Sequence, residues 1–179
     1  MNDYTVALDT ETELFCTLYL FINVQNSNEV CKKVISGELS CTIMKASLIV
    51  DPFQVLISAN KAAINAKTNQ LTTKNVHTEI LFNLSMSKNI SRSLTEFGIS
   101  DSDKNILIAI VHKANEKPTP DIFEEAIKGE RISISKLPQY TNVELVKKTY
   151  KIDKEELSVS NLINSVVSRI SSKDFILLK

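Results

Sequence analysis

The residues able to do covalent chemistry are few and scattered. Two histidines, His77 and His112, and three cysteines, Cys16, Cys31 and Cys41, are spread over 179 residues. His77 and Glu79 form an H-x-E step, but the P-C-x-x-C that completes a zinc deaminase set is absent. No other run offers three or four metal ligands at workable spacing. The glycines, Gly37, Gly98 and Gly129, are isolated from one another. That excludes a G-x-G-x-x-G loop and a P-loop, which cluster glycines so that backbone N–H groups can approach phosphate. No G-x-S-x-G elbow occurs. Glu124 and Glu125 are neighbours on a helical stretch, where adjacent side chains diverge, so they read as solvated charge. The pattern points to a binding domain with no cofactor or metal rather than to an enzyme.

What the spacing does offer is cations. From Pro52 to Thr78 there is no acidic residue, and this stretch holds Lys61, Lys67 and Lys74. Lys88 and Arg92 follow after Glu79. Taken alone, such a zone reads first as a solvated face. Lys plus Arg and Asp plus Glu both total 21, so the net charge is zero. Any contact with nucleic acid must then come from a local patch, and these five cations are the best candidates. A second basic run, Lys147, Lys148, Lys151 and Lys154, is offset by Glu144, Glu155 and Glu156.

These side chains need a scaffold, and apolar periodicity supplies its outline. Leu14 to Ile22 is an unbroken apolar run of strand length, expected to be buried on both faces. Extended to Val24, it is about half the length a bilayer span needs (roughly 20 residues), so no membrane partner is expected. Asn28 to Ser36 reads as a short helix with Val30, Val34 and Ile35 on one side and Gly37 as its stop. Asp51 followed by Pro52 opens the clearest helix, an N-cap oxygen before a residue whose missing N–H is not needed. On it, Phe53, Leu56, Ile57 and Ile64 form one stripe, and Val55, Ala59, Ala62, Ala63 and Ala66 a second. Gln54, Ser58, Lys61 and Asn65 form a polar strip expected to face water.

Further helices are expected from Val76 to Leu84, Ser91 to Phe97, Pro120 to Gly129 (with Ile122, Phe123, Ala126 and Ile127 inward) and Asn142 to Tyr150. Asn105 to Val111 and Arg131 to Ser135 read as strands. The last helix repeats Val159, Leu162, Ile163, Val166, Val167 and Ile170 at helical spacing, with Asp153 and Glu156 as a capping box before it. Interspersed helices and strands imply an α/β fold: one domain over 1–179, a small sheet of mixed or antiparallel strands flanked by helices. The odd cysteine count suits a reducing compartment, and the Met-Asn-Asp-Tyr start has no signal-peptide pattern.

Specific strings go further. Ile49-Val50-Asp51-Pro52-Phe53-Gln54, Ala59-Asn60-Lys61-Ala62 and Thr78-Glu79-Ile80-Leu81-Phe82-Asn83-Leu84-Ser85 occur in order. They are followed by Asn89-Ile90-Ser91, Phe97-Gly98-Ile99-Ser100, Ile106-Leu107-Ile108, Leu137-Pro138, Val146-Lys147-Lys148-Thr149-Tyr150-Lys151 and Ser172-Lys173-Asp174. Together, from about Leu14 to Asp174, they resemble the TPRKB family of PRPK-binding accessory subunits of the EKC/KEOPS complex. The ends, 1–12 and 175–179, match poorly.

The resemblance implies a small α/β subunit without activity of its own, in cytoplasm and nucleus. It implies docking on the kinase-like ATPase PRPK, and recruitment of tRNA by its single-stranded 3′ CCA end for threonylcarbamoylation of the adenosine beside the anticodon. Met86-Ser87-Lys88 departs from the family pattern, which puts an RNA role for Lys88 in doubt. Two helices carry more apolar surface than one small core needs. The PRPK site is therefore expected on Phe53, Leu56, Ile57, Leu162, Val166 and Ile170. The rival readings are a kinase regulator acting outside tRNA modification and a small enzyme with an unrecognised site.

Overall fold

The computed structural model describes residues 4–176. The start and tail assigned to the poorly matched ends lie partly outside these, at 1–3 and 177–179. The framework is a five-stranded sheet in which every pairing among the described strands is antiparallel. Its hub is β2 (Leu14–Ile22), the long apolar run. One edge of β2 pairs with β4 (Ile106–Lys113), and β4 pairs with β3 (Thr42–Lys45). The other edge is shared by β1 (Tyr4–Ala7), opposite Phe15 to Leu18, and β5 (Glu130–Ile132), opposite Leu20 to Ile22. β1 and β3 are four residues each, too short for a period to show. The third strand expected over Arg131 to Ser135 ends at Ile132, where a 3-10 turn, Ile134–Gln139, begins.

Alternation along β2 explains its composition. Cys16, Leu18 and Leu20 enter one core with Met44, Leu107 and Ala109. Tyr19 and Phe21 enter another with Ile43, Ile106, Ile108 and Ile110. Both faces are covered, so a continuous apolar run is what the strand needs. His112 is the seventh residue of β4 rather than a residue beyond it, and it is buried, with Nε2 2.8 Å from the Thr17 hydroxyl.

The first core is covered by α2 (Pro52–Lys67), α3 (Val76–Leu84), α6 (Val143–Tyr150) and α8 (Leu162–Ile176). The second is covered by α1 (Ser27–Ile35) and α5 (Asp121–Ala126). The expected inward positions Ile35 and Ile122 instead face solvent, at 80% and 55% exposure. Val30, Phe123 and Ile127 fill those contacts, with Val34 and Ala126 packed partly buried against them.

The Asp51 cap is present, its carboxylate accepting the Phe53 N–H at 2.8 Å. The polar strip of α2, however, does not face water. Gln54 and Ser58 are fully buried. The Gln54 amide donates to the Leu48 carbonyl and the Tyr150 hydroxyl, and accepts the Val50 N–H at 2.9 Å. The Tyr150 hydroxyl in turn donates to the Leu84 carbonyl at 2.7 Å. Such a strip satisfies backbone groups that three packed elements would otherwise leave unpaired. The outward face of α2 is the apolar one, with Phe53 and Ile64 exposed and Ile57 half-buried.

The last helix is two helices. Asp153 caps α7 (Lys154–Val159), accepting the Glu156 N–H at 2.8 Å. The chain then turns extended at Ser160, and Asn161 caps α8 by accepting the Asn164 N–H at 2.8 Å. Val159 is therefore 88% exposed instead of belonging to the apolar stripe. The Glu156 carboxylate grips Arg169 with both oxygens, at 2.6 and 2.7 Å, and ties the two helices together.

Candidate functional site

A groove opens between α1, the start of β3, the loop before α3, and α4 (Ile90–Phe97). It has two adjoining parts of about 710 and 420 Å³ that share Val34, Ile35, Cys41, His77, Thr78 and Leu94. Ile35 and Ile90, both exposed, form its apolar lips. Gly98 closes α4 where no side chain fits, since a Cβ there would stand 2.4 Å from the Leu94 carbonyl oxygen.

The loop on the other wall is held by one carboxylate. Glu79 is fully buried and accepts the N–H groups of Thr72 and Thr73 and the Thr73 hydroxyl, the last two at 2.8 Å. The Asn65 amide reaches the same carboxylate at 3.3 Å. Glu79 in the H-x-E step thus shapes a loop. Asn75 and Thr78 form a capping box that starts α3 at this wall. His77 lies in the first turn, with Nε2 3.1 Å from the Ser40 hydroxyl. Burial pushes its pKa below the ordinary value, which favours the neutral ring. Among the described residues, no group of three or more His, Cys, Asp or Glu is placed to hold a metal ion. Cys16 and Cys41 are buried thiols pushed up to about 12, a protonated and unreactive state.

The five candidate cations separate into two groups. Lys74 lines the groove, and exposed Lys88 and Arg92 flank Ile90 at the start of α4. Lys61 and Lys67 stand elsewhere. The Lys61 ammonium is drawn inward, donating to the Ile170 carbonyl at 3.1 Å and pairing with Asp174 at 3.0 Å. Lys67 is bound to Glu11 through both its backbone carbonyl and its carboxylate. The expectation that the Lys61 ammonium reaches solvent fails because its strip lies on the flank that α8 covers.

The candidate docking residues also separate. Leu56, Val166 and Ile170 are core, at 9%, 0% and 0% exposure. Ile57 and Leu162 are half-buried against that core, and Phe53 is 48% exposed. The core takes Leu56, Val166 and Ile170 from the two stripes and leaves Phe53 and Val159 outside it. Ile35, Ile90, Leu94 and His77 were not candidate binding residues in the sequence, where Ile35 read as inward and His77 as half of the H-x-E step.

Residues 21–174 match the family model described as kinase binding protein CGI-121. The chain is 35% identical over 171 residues to the EKC/KEOPS complex subunit TPRKB of Danio rerio, covering 93% of this chain and 98% of that one. It is 27% identical over 154 residues to the EKC/KEOPS complex subunit CGI121 of Candida glabrata, covering 85% and 84%. With the cgi121 subunit of Schizosaccharomyces pombe it shares 24% over 163 residues, covering 88% and 92%. On the model match and the near full-length similarity, this chain belongs to the CGI-121 family.

Proposed function

We propose that this chain is a non-catalytic subunit of the EKC/KEOPS complex that binds PRPK and helps recruit tRNA by its 3′ CCA end for threonylcarbamoylation of the adenosine beside the anticodon, in cytoplasm and nucleus. The observation that carries the RNA part is the groove with Lys74 on its wall and Lys88 and Arg92 beside its Ile90 lip. A single-stranded end presents unstacked bases and closely spaced phosphates. Apolar lips suit the former and cations the latter. With few aromatic residues available, the electrostatic share of binding is large and binding weakens as salt rises.

The docking part is supported by the exposed apolar face of α2, Phe53 with Ile64, and by the family's description as kinase-binding. Interface centres favour such uncharged anchors. A fluorescently labelled single-stranded RNA ending in CCA, titrated with the full chain, tests the first part. Lys74→Glu with Arg92→Glu is expected to weaken binding on the order of tenfold and to flatten its salt dependence. Unchanged affinity in the folded double variant rejects the groove. PRPK pull-down with Phe53→Asp tests the second part, and retained capture rejects that face. PRPK capture without any RNA binding by the unaltered chain would favour a kinase regulator acting outside tRNA modification.

A further inference from the structure

Away from the groove, the corner where α6 meets α7 gathers the second basic run. Lys147 and Lys148 lie in the last turn of α6, Lys151 is its C-cap, and Lys154 opens α7. These four lysines face two carboxylates, Glu144 and Asp153, around a shallow open depression of about 590 Å³.

Of the acids around this run, three are engaged in the fold, while Glu155 stays exposed. Glu144 pairs with Lys147 at 2.8 Å, Asp153 caps α7, and Glu156 is held by Arg169. Lys148, Lys151 and Lys154 make no ion pair with a described residue, and Lys154 acts on Glu144 only through its field. Two of these lysines also stand where folding favours other residues. Lys151 is left-handed at φ 53°, ψ 49°, a conformation that suits glycine or asparagine. Lys154 is at the first position of a helix, where the backbone dipole favours anions. Local backbone preference therefore does not account for a lysine at either position.

We propose that this corner binds the phosphate backbone of an RNA duplex, which in a tRNA is the stem behind the single-stranded end. The proposal rests on the RNA-recruiting reading above. No aromatic ring lines the depression, so it offers ammonium groups and no surface on which a base could stack. That chemistry suits duplex phosphates, whose bases are already stacked within the helix.

The test uses the full chain and a tRNA transcript whose 3′ single-stranded end has been removed. Lys148→Gln, Lys151→Asn and Lys154→Gln are combined, with asparagine keeping the left-handed backbone and circular dichroism checking the fold. Affinity for the trimmed tRNA is expected to fall on the order of tenfold, and the log–log salt slope to become shallower by about 2 to 3. Affinity for a CCA-ended single strand is expected to stay the same. Equal affinity and slope for the trimmed tRNA, or no binding of it by the unaltered chain, would overturn the proposal. So would binding of a polyglutamate peptide that the substitutions abolish while tRNA binding persists, which would assign the corner to an acidic protein segment. Failure of the groove reading shows separately, as absence of binding to the CCA-ended strand.

Discussion

Lys61 on α2 donates to the carbonyl of Ile170 on α8 at 3.1 Å, so a side chain that reads as a surface cation is a tie between two core helices. The same ammonium pairs with Asp174 one turn further along. Lys61→Met keeps the stem and removes both interactions. It is expected to lower stability by about 1 kcal/mol, seen as a reduced Tm, and to leave RNA affinity unchanged. A loss of RNA binding at full stability would return Lys61 to the binding surface.

Lys173 gives α8 a pH dependence of its own. It is 1% exposed, with its ammonium over the Phe82 ring at 3.5 Å and donating to the Phe82 carbonyl. Burial first, and then the field of Lys61, push its pKa down to about 8, against the opposing carboxylates Asp174, Glu79 and Glu96. Unfolded, the same group titrates near 10.4. The unfolded chain therefore holds more protons between these values, and stability rises with pH across about 8 to 10. Denaturant midpoints measured across that range should rise for the natural chain. With Lys173→Met, this component of the rise should vanish.

The Glu156–Arg169 pair acts at the other end of the scale. The Arg169 hydrogen bonds hold the Glu156 carboxyl down at about 2, below the roughly 4.3 of an unperturbed glutamate. Its contribution is fully present above pH 4.3 and disappears as the pH falls through 2. Hydrogen exchange should show α7 protection dropping over that window. Glu156→Gln should show the weaker protection already at neutral pH.

Gly98 bears on the groove through backbone alone. A Cβ at this position would meet the Leu94 carbonyl oxygen at 2.4 Å, and that oxygen accepts the Gly98 N–H, so neither side gives way easily. Gly98→Ala is expected to cost about 1–3 kcal/mol by overpacking, read from denaturant unfolding. It should also weaken binding of the CCA-ended strand more than a remote change of equal stability cost.

Much of this protein follows from local sequence. The both-faces-buried β2, the Asp51-Pro52 opening of α2, the stop of α4 at Gly98 and the Asp153 cap all arise from contacts within a few residues. Each was legible because side-chain type and spacing act there directly. The family was legible too, since strings such as Ile49 to Gln54 stand in order along the chain. Tertiary structure decided what has no local cause. β1 and β3 exist because β2 and β4 present unpaired edges to them. The polar strip Gln54, Ser58, Lys61 and Asn65 turned inward because α3, α6 and α8 bring backbone carbonyls and carboxylates to meet it. Val166 and Ile170 became core, and Val159 surface, because a break at Ser160 reset the direction of the helix. The groove likewise required α1 and α4, some sixty residues apart, to stand either side of a loop that Glu79 holds in place. Periodicity reports which residues share a face. Which way that face turns depends on the neighbours that cover it.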